Sequence, residues 1–394
     1  MERRSFIRVM GGGVVLAAAP ALVACSSALP PEAVAAWQPP APPAPGSDVR
    51  RWILAHAILA PHSHNLQSWL IDLGTPGEIV LACDLTRLLP ETDPQSRQIM
   101  MSHGSFLELL DLAARERGLR AEITLFPQGS FGPDKIDQRP VARVRLMADL
   151  AVKRDPLFEQ ILHRRTNRQV YGLEQPVPSA AWQAMADAAR SPALQFGFVG
   201  MDQPATLAQH RQIAAEAWRI ELSTPRTMLE SYKVLRVGAD EVDRYRDGLV
   251  MLDPLVVLAS RLGLFDRSKA PPPNAWATTS QIRDFDKKLA STPGFLWMVS
   301  GSNSRVAQVD AGRAYARVQL AGTAQGLVMQ PLQQALQEYP EQAAPHAAAR
   351  RLFGVGEPAQ TVQMWARVGY AAPVEPAPRR GVAAQLVPGP AKAA

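Results

Sequence analysis

Two cysteines in 394 residues leave little room for sulfur chemistry. Cys25 and Cys83 stand apart, without a C-x-x-C pair or a cysteine-rich ligand set, which excludes a zinc-ribbon site and a dithiol redox centre. Metalloprotease-type spacing is missing too: no H-E-x-x-H run occurs, and His56, His62, His64 and His103 have no comparable carboxylate partner in sequence. Ser63 lacks the flanking glycines of a G-x-S-x-G turn, so no hydrolase nucleophile is announced. Blocks of Lys and Arg interleaved with aromatics are also lacking. The net charge of +6 is spread along the chain, which argues against a nucleic-acid surface. What is present is ordinary for a globular protein: 47% hydrophobic and 20% charged residues, enough for one large core or two smaller ones.

The first 25 residues read as an address. A charged start, a glycine-interrupted apolar run from Val9 to Val23, and small residues before Cys25 make an export signal. The run is too short for a span of ~20 residues. Arg3-Arg4-Ser5-Phe6-Ile7-Arg8 resembles the twin-arginine motif, with Glu2 where Ser or Thr is usual. Leu22-Val23-Ala24-Cys25 resembles a lipobox. The expectation is a periplasmic protein, exported by the twin-arginine route and held to a membrane only by lipid on Cys25. Residues 26–47, rich in Pro and Ala, predict an extended tether.

From Asp48, a plausible N-cap, Trp52, Ala55 and Leu59 recur at helical spacing until Pro61. Residues 68–73 and 78–84 predict a hairpin around the 74–77 turn, 103–118 an amphipathic helix, and 121–126 and 141–147 strands. Cys83, in the apolar run from Ile79, reads as a buried structural thiol. Residues 310–326 echo 102–118, with a glycine near the start and a closing Gly-Leu, and 361–370 echo 140–146. Two matches in one order predict an internal duplication. The units are 48–150 and 151–375, the second carrying a helical insertion over about 205–270, with a tail at 376–394.

Two segments carry candidate chemistry. In Ala60-Pro61-His62-Ser63-His64-Asn65-Leu66-Gln67-Ser68-Trp69, a metal site, a nucleophile and a ligand-shaped loop all remain open. In His163-Arg164-Arg165-Thr166-Asn167-Arg168, three guanidinium groups lie within five residues. Such a cluster suits phosphate, through planar bidentate hydrogen bonds, or else is a solvated basic helix end.

Together these segments resemble the nitroreductase family of FMN proteins. The family's R-R-S-x-R-x-F/Y followed by P-V-P is similar to Arg164-Arg165-Thr166-Asn167-Arg168-Gln169-Val170-Tyr171 and Pro176-Val177-Pro178. Its A-P-S-S-x-N-x-Q-P-W is similar to residues 60–69, with His62 for a small Ser and Ser68 for Pro. Asp84-Leu85-Thr86-Arg87-Leu88-Leu89-Pro90, lying between them, resembles the two-repeat, Acg-like branch. The likeness runs from about residue 48 to 380, and each half keeps the motif that the other has lost.

The resemblance implies an α+β, nitroreductase-like fold in which two fused repeats form a pseudo-dimer, with mixed central sheets flanked by helices. It implies one FMN site built from both repeats. Arg164, Arg165, Thr166 and Arg168 would meet the phosphate and ribityl chain, and Pro61, His62, Ser63 and Asn65 the ring. Gly326 and Leu327 would approach flavin N5, and Arg379 or Arg380 would give a tail contact to phosphate. It further implies an NAD(P)H or other donor, a quinone or nitroaromatic acceptor, no metal, and either a monomeric pseudo-dimer or a homodimer. A flavin-sequestering protein without turnover is the alternative. No catalytic side chain is implied, because the cofactor carries the chemistry.

Overall fold

The protein is described by a computed structural model over residues 28–387, apart from Pro45, Arg190 and Pro192. The export signal, Cys25 and the last seven residues lie outside the described residues. The fold is α+β. Its helices are α1 (Pro31–Val34), α2 (Val49–Ala57), α3 (Arg97–Glu116), α4 (Ser179–Ala189), α5 (Pro204–Ser223), α6 (Pro225–Lys233), α7 (Gly238–Tyr245), α8 (Pro254–Arg261), α9 (Trp276–Ala290), α10 (Arg305–Ala324) and α11 (Ala343–Leu352). Two four-stranded sheets hold β1 (Trp69–Asp72), β2 (Glu78–Cys83), β3 (Leu119–Leu125) and β4 (Ala142–Ala148), then β5 (Leu194–Val199), β8 (Gly294–Ser300), β9 (Val328–Pro331) and β10 (Thr361–Gly369). A short pair, β6 (Leu235–Val237) and β7 (Leu249–Met251), lies between β5 and β8.

The local reasons are those of the sequence. The Asp48 carboxylate accepts from the Arg50 amide and starts α2. Alternate residues of β2 (Ile79, Leu81, Cys83) turn into the core with Trp69 and Ile71 of β1. Cys83 is buried, and burial raises its thiol pKa, as an inert structural cysteine requires. The central helix α3 begins six residues before the expected start. Its first turn is apolar only on one side and is held by the Asp93 carboxylate, which accepts from the Gln98 and Ile99 amides at 3.1 and 3.0 Å.

The sheets run in the orders β1-β2-β4-β3 and β5-β8-β10-β9, so both follow the order first, second, fourth, third. In each, the long helix (α3 or α10) falls between the second and third strands. All neighbours within these sheets are antiparallel. The expected mixed sheets are therefore corrected. Parallel pairing is confined to β6–β7 and to single bridges at the sheet edges, Ile71 with Leu386 and Thr166 with Met329. The reason is topology: the strands on either side of each long helix, β2 with β3 and β8 with β9, run the same way but are kept apart by the antiparallel β4 or β10.

Helices α3 and α10, 20 residues each, cross at the centre. A Cβ on Gly104 would lie 2.0 Å from the Val309 carbonyl oxygen, and one on Gly312 would lie 1.8 Å from that of Met101. The contact is reciprocal, because Arg305, Val309 and Gly312 each stand 208 positions after Arg97, Met101 and Gly104. The first residue of each helix also reaches across. Arg97 donates to the Leu336 and Gln363 carbonyls, and Arg305 to those of Gly132 and Pro133.

Two segments at the ends of the chain dock on the rest of the protein, and the first departs from its expected state. Residues 31–37 are not an extended tether. They form α1 and one 3-10 turn, with Ala33 and Trp37 buried. The C-terminal segment up to 387 packs on the first sheet, where the Val387 amide donates to the Ile71 carbonyl. Both follow from long-range contacts: Trp37 Nε1 donates to the Ala377 carbonyl at 2.8 Å, and the Arg379 amide to that of Ala33. Among the described residues, no helix is long and apolar enough to cross a membrane.

Candidate functional site

The loop after α2 is wound tightly. His64, Asn65 and Gln67 have φ of 49°, 55° and 54°, three left-handed non-glycine residues within four positions. Such backbone costs of order 1 kcal/mol or more per residue and survives only where its surroundings over-determine it. Here they do. Asn65 donates to the Pro378 carbonyl and accepts from Arg379. The buried Gln67 amide donates to the Arg246 carbonyl and accepts from the Arg380 amide. Ser63 is fixed to α3, its amide donating to Ser102 Oγ and its hydroxyl to Gln98 Oε1.

His62 is committed at both ring nitrogens. The Ser68 amide donates to Nε2 at 3.1 Å, which requires Nε2 to be unprotonated. Nδ1 therefore carries the proton and donates to the Ser63 carbonyl at 2.8 Å. Burial holds its pKa well below the ordinary value, as this neutral tautomer demands. His62 is thus a staple of the loop, with its ring edge-on to Trp69. His64, on the same turn, is lowered to about 4 by burial and then by the charge of Arg168. Among the described residues no group of three or more His, Cys, Asp or Glu is arranged to hold a metal ion.

This gives a pH prediction. His64 has a folded pKa below its unfolded one, so its contribution to stability is complete above about pH 6.5 and is lost as pH falls from there to about 4. His64→Ala should remove up to about 1.4 kcal/mol per pH unit of acid sensitivity in that window. Urea denaturation at pH 7.5, 6 and 5 would show it as converging midpoints. At pH 7.5 His62→Ala with His64→Ala should cost stability without removing a bound anion.

The arginines sort by what their N–H groups already do. Arg379 is buried and spends all five: on the Ile58, Leu59, Ala60 and Pro378 carbonyls and on Asn65 Oδ1. Three of those carbonyls close the end of α2, where a cation suits the helix dipole. Arg379 is therefore a brace, with no donor left for the phosphate contact the resemblance implied. Arg164 is half committed, donating to the Leu59 carbonyl and to Gln319 Oε1, while its buried Nε has no partner. Arg165 uses one nitrogen, NH1, on the Leu162 and Arg164 carbonyls. Arg168 has no hydrogen-bond or ion-pair partner among the described residues. It keeps open surface, although the protein around it is dense enough to lower its pKa. His64 and the Tyr315 hydroxyl, which is buried without a partner, face Arg168.

None of Arg164, Arg165, Arg168 and Arg379 pairs with a carboxylate among the described residues. Burial lowers the pKa of each, Arg164 to about 10, and Arg164 and Arg165 push Arg379 down further. What faces three of them is an aromatic ring. The guanidinium carbons of Arg165, Arg379 and Arg164 lie 4.5, 5.2 and 5.5 Å from the Trp37 ring centroid. Sequence reasoning missed Trp37, because nothing in a Pro/Ala-rich stretch marks one Trp as docked.

Thr166 and Asn167 seat the arginine run on the edge of β9 through Met329. Gly326 and Leu327 are nearby, at the end of α10, but their amides donate to the Thr323 and Gly322 carbonyls. This is a Schellman turn, with Gly326 at φ 72°. Neither N–H is therefore available to approach a flavin N5. Pro61 stands just after the Ala60 carbonyl that Arg379 holds. The structure thus brings both sequence segments to one place, and also assigns Asn65, Arg379, Gly326 and Leu327 to the scaffold. Replacing Arg379 by Met should cost about 3 kcal/mol or more, since the Ile58 and Ala60 carbonyls and Asn65 Oδ1 lose the donor they have and the Leu59 and Pro378 carbonyls lose one of theirs. Denaturant unfolding would measure it.

A groove of about 540 Å³ between α5 and α11, lined by Gln209, Gln212, Glu216, Pro345 and Arg351, contains none of these residues.

No protein-family model matches the chain. Two curated proteins of Mycobacterium tuberculosis do: Putative NAD(P)H nitroreductase Rv3131 (strain H37Rv) and Putative NAD(P)H nitroreductase MT3217 (strain CDC 1551). Each is 27% identical over 353 residues, covering 85% of this chain and 90% of the relative. Among solved structures, the FMN and NADPH-dependent nitroreductase NfnB from sphigopyxis sp. strain HMH aligns at 19% identity and TM-score 0.36 over 58% of this chain and 96% of its own. NfnB from Mycobacterium smegmatis, in complex with NADPH, aligns at 17% and TM-score 0.34 over 54% and 86%. The chain is similar along most of its length to proteins named as nitroreductases.

Proposed function

We propose that this protein is a single-chain, FMN-dependent oxidoreductase of the nitroreductase type. The observation that carries the reading is the pair Arg165 and Arg168, whose guanidiniums keep unspent donors and form no salt bridge among the described residues, beside the loop that bears the second motif; the reading takes them to line one recess. An anion such as the flavin phosphate fits that chemistry, because it would accept charge-assisted hydrogen bonds from donors that no salt bridge uses. The shared strand order of the two sheets and the 208-residue correspondence of α3 and α10 support two copies of one unit.

When bound, FMN would supply hydride transfer between a reduced nicotinamide and a quinone or nitroaromatic acceptor. The chain's own residues would bind and orient it. Arg165 and Arg168 would hold the phosphate, with Arg164 behind them, and Arg379 would fix the end of α2 so that the 61–69 loop keeps its shape. His62, neutral and doubly hydrogen-bonded, would hold that loop without supplying a proton. The helices from α5 to α9 would cover the site. Retention of flavin without turnover is the second reading, favoured by the spent amides of Gly326 and Leu327.

The purified protein should be yellow, with a flavin band that NADPH bleaches under anaerobic conditions. A yellow protein inert to NADPH would leave only retention, and a colourless chain that takes up no added FMN would refute both.

Export by the twin-arginine route and lipidation at Cys25 belong to the same proposal. The docking of α1 leaves only five residues between Cys25 and Pro31, so an anchored protein would sit within about 20 Å of the bilayer instead of on a long tether. Mass spectrometry of the N-terminal peptide from membranes would test for the diacylglyceryl thioether.

A further inference from the structure

Trp37 lies outside both motifs and outside either repeat, yet its ring is shared by Arg164 and Arg165 of the site and by the brace Arg379. It is 6% exposed, and its Nε1 donates to the Ala377 carbonyl, so the ring is fixed in position as well as covered. The strap that carries it is fixed again where the Arg379 amide donates to the Ala33 carbonyl. Arg246 of the helical insertion reaches Glu32 at 3.8 Å, so the strap contacts that insertion as well as the C-terminal segment. A guanidinium over an indole face is held by the ring quadrupole, and the contact strengthens when water is excluded. The ring therefore does two things. It gives Arg164, Arg165 and Arg379 a neutral surface to pack on without consuming N–H donors, and it keeps bulk water from screening their charge.

We propose that Trp37 is a positioning residue of the anion site: the strap at 31–37 is a wall that aims Arg164 and Arg165 at a phosphate group and shields it. This rests on the reading of the recess as the place of the flavin phosphate, and it adds a third segment to a site that the motifs build from two. Because the ring acts through its face and not through a charge, Trp37→Phe should preserve the effect and Trp37→Leu should remove it.

The test uses the purified full chain, titrated separately with inorganic phosphate and with FMN. Trp37→Leu should weaken both about tenfold, while Trp37→Phe stays within about threefold of the parent. Riboflavin, which has no phosphate, should bind parent and Trp37→Leu alike. A second readout is independent of the Leu variant's folding: phosphate should change tryptophan emission in the parent, and this change should be missing in Trp37→Phe. Unchanged or tighter phosphate binding by Trp37→Leu would overturn the proposal, the latter by making the ring a plug. Phosphate that fails to bind the parent, or parent emission indifferent to phosphate, would overturn it as well. Phosphate binding without FMN binding would refute the flavin reading and leave the role of Trp37 standing.

Discussion

Arg165→Ala combined with Arg168→Ala should yield a folded protein that no longer retains FMN. Each guanidinium offers donors that no protein acceptor uses, so each can give a charge-assisted contact to phosphate of roughly 1.5–3 kcal/mol. Losing both should weaken FMN binding by about a hundredfold to ten-thousandfold. The fold should survive. Arg168 has no hydrogen-bond or ion-pair partner among the described residues to lose, and the two carbonyls that Arg165 serves belong to its own turn and can turn to water. The comparison with Arg379→Met gives the experiment its discrimination. That variant should melt early because a brace is gone, whereas the double variant should melt normally and lose flavin. Equilibrium dialysis against FMN, with riboflavin as the ligand lacking phosphate, separates the two. Undiminished FMN binding by the double variant would place the phosphate elsewhere.

The largest structural effect is expected at the helix crossing. Gly312→Ala puts a methyl group 1.8 Å from the Met101 carbonyl oxygen, and Gly104→Ala puts one 2.0 Å from that of Val309. These neighbours are backbone in the two most buried helices, so no side chain can swing aside. The helices must part, which should cost about 3 kcal/mol or more for either change. Once they have parted, the second methyl finds room, so the double variant should cost less than the sum of the two. Gly301→Ala is the control: nothing lies within 4 Å of its Cβ, and its φ is not positive. Its unfolding midpoint should stay within about 0.5 kcal/mol of the parent. A Gly312→Ala protein as stable as Gly301→Ala would mean that the crossing is looser than described.

Much of this was legible along the chain. The α2 cap at Asp48, the hairpin of β1 and β2 and the inward alternation of β2 all depend on neighbours a few residues away, and short-range spacing reports them. The echo between residues 102–118 and 310–326 is also visible in sequence, because the central helices keep the same small residue at the same step. The closeness of the two motifs was implied by resemblance, and the contact of Arg164 with the Leu59 carbonyl puts them side by side.

Other features had no local signal. Nothing near Pro31 tells that it starts a docked strap, since the partners of Trp37 and Ala33 are at Ala377 and Arg379, more than 300 residues away. Nothing in Arg164-Arg165-Thr166-Asn167-Arg168 says which guanidiniums are spent, because a donor count needs the acceptors that other elements bring. His62 drew attention as a possible ligand, and only the Ser68 amide at its Nε2 shows it to be a neutral staple.

The sequence by itself determined the α+β elements, the echo between the two long helices and the two segments of candidate chemistry, because periodicity and residue type are local properties. The tertiary structure decided which arginines remain free, what seals them and that the sheets are antiparallel, because a hydrogen bond once made removes a donor from any other use. That assignment is fixed only when residues hundreds of positions apart are brought together.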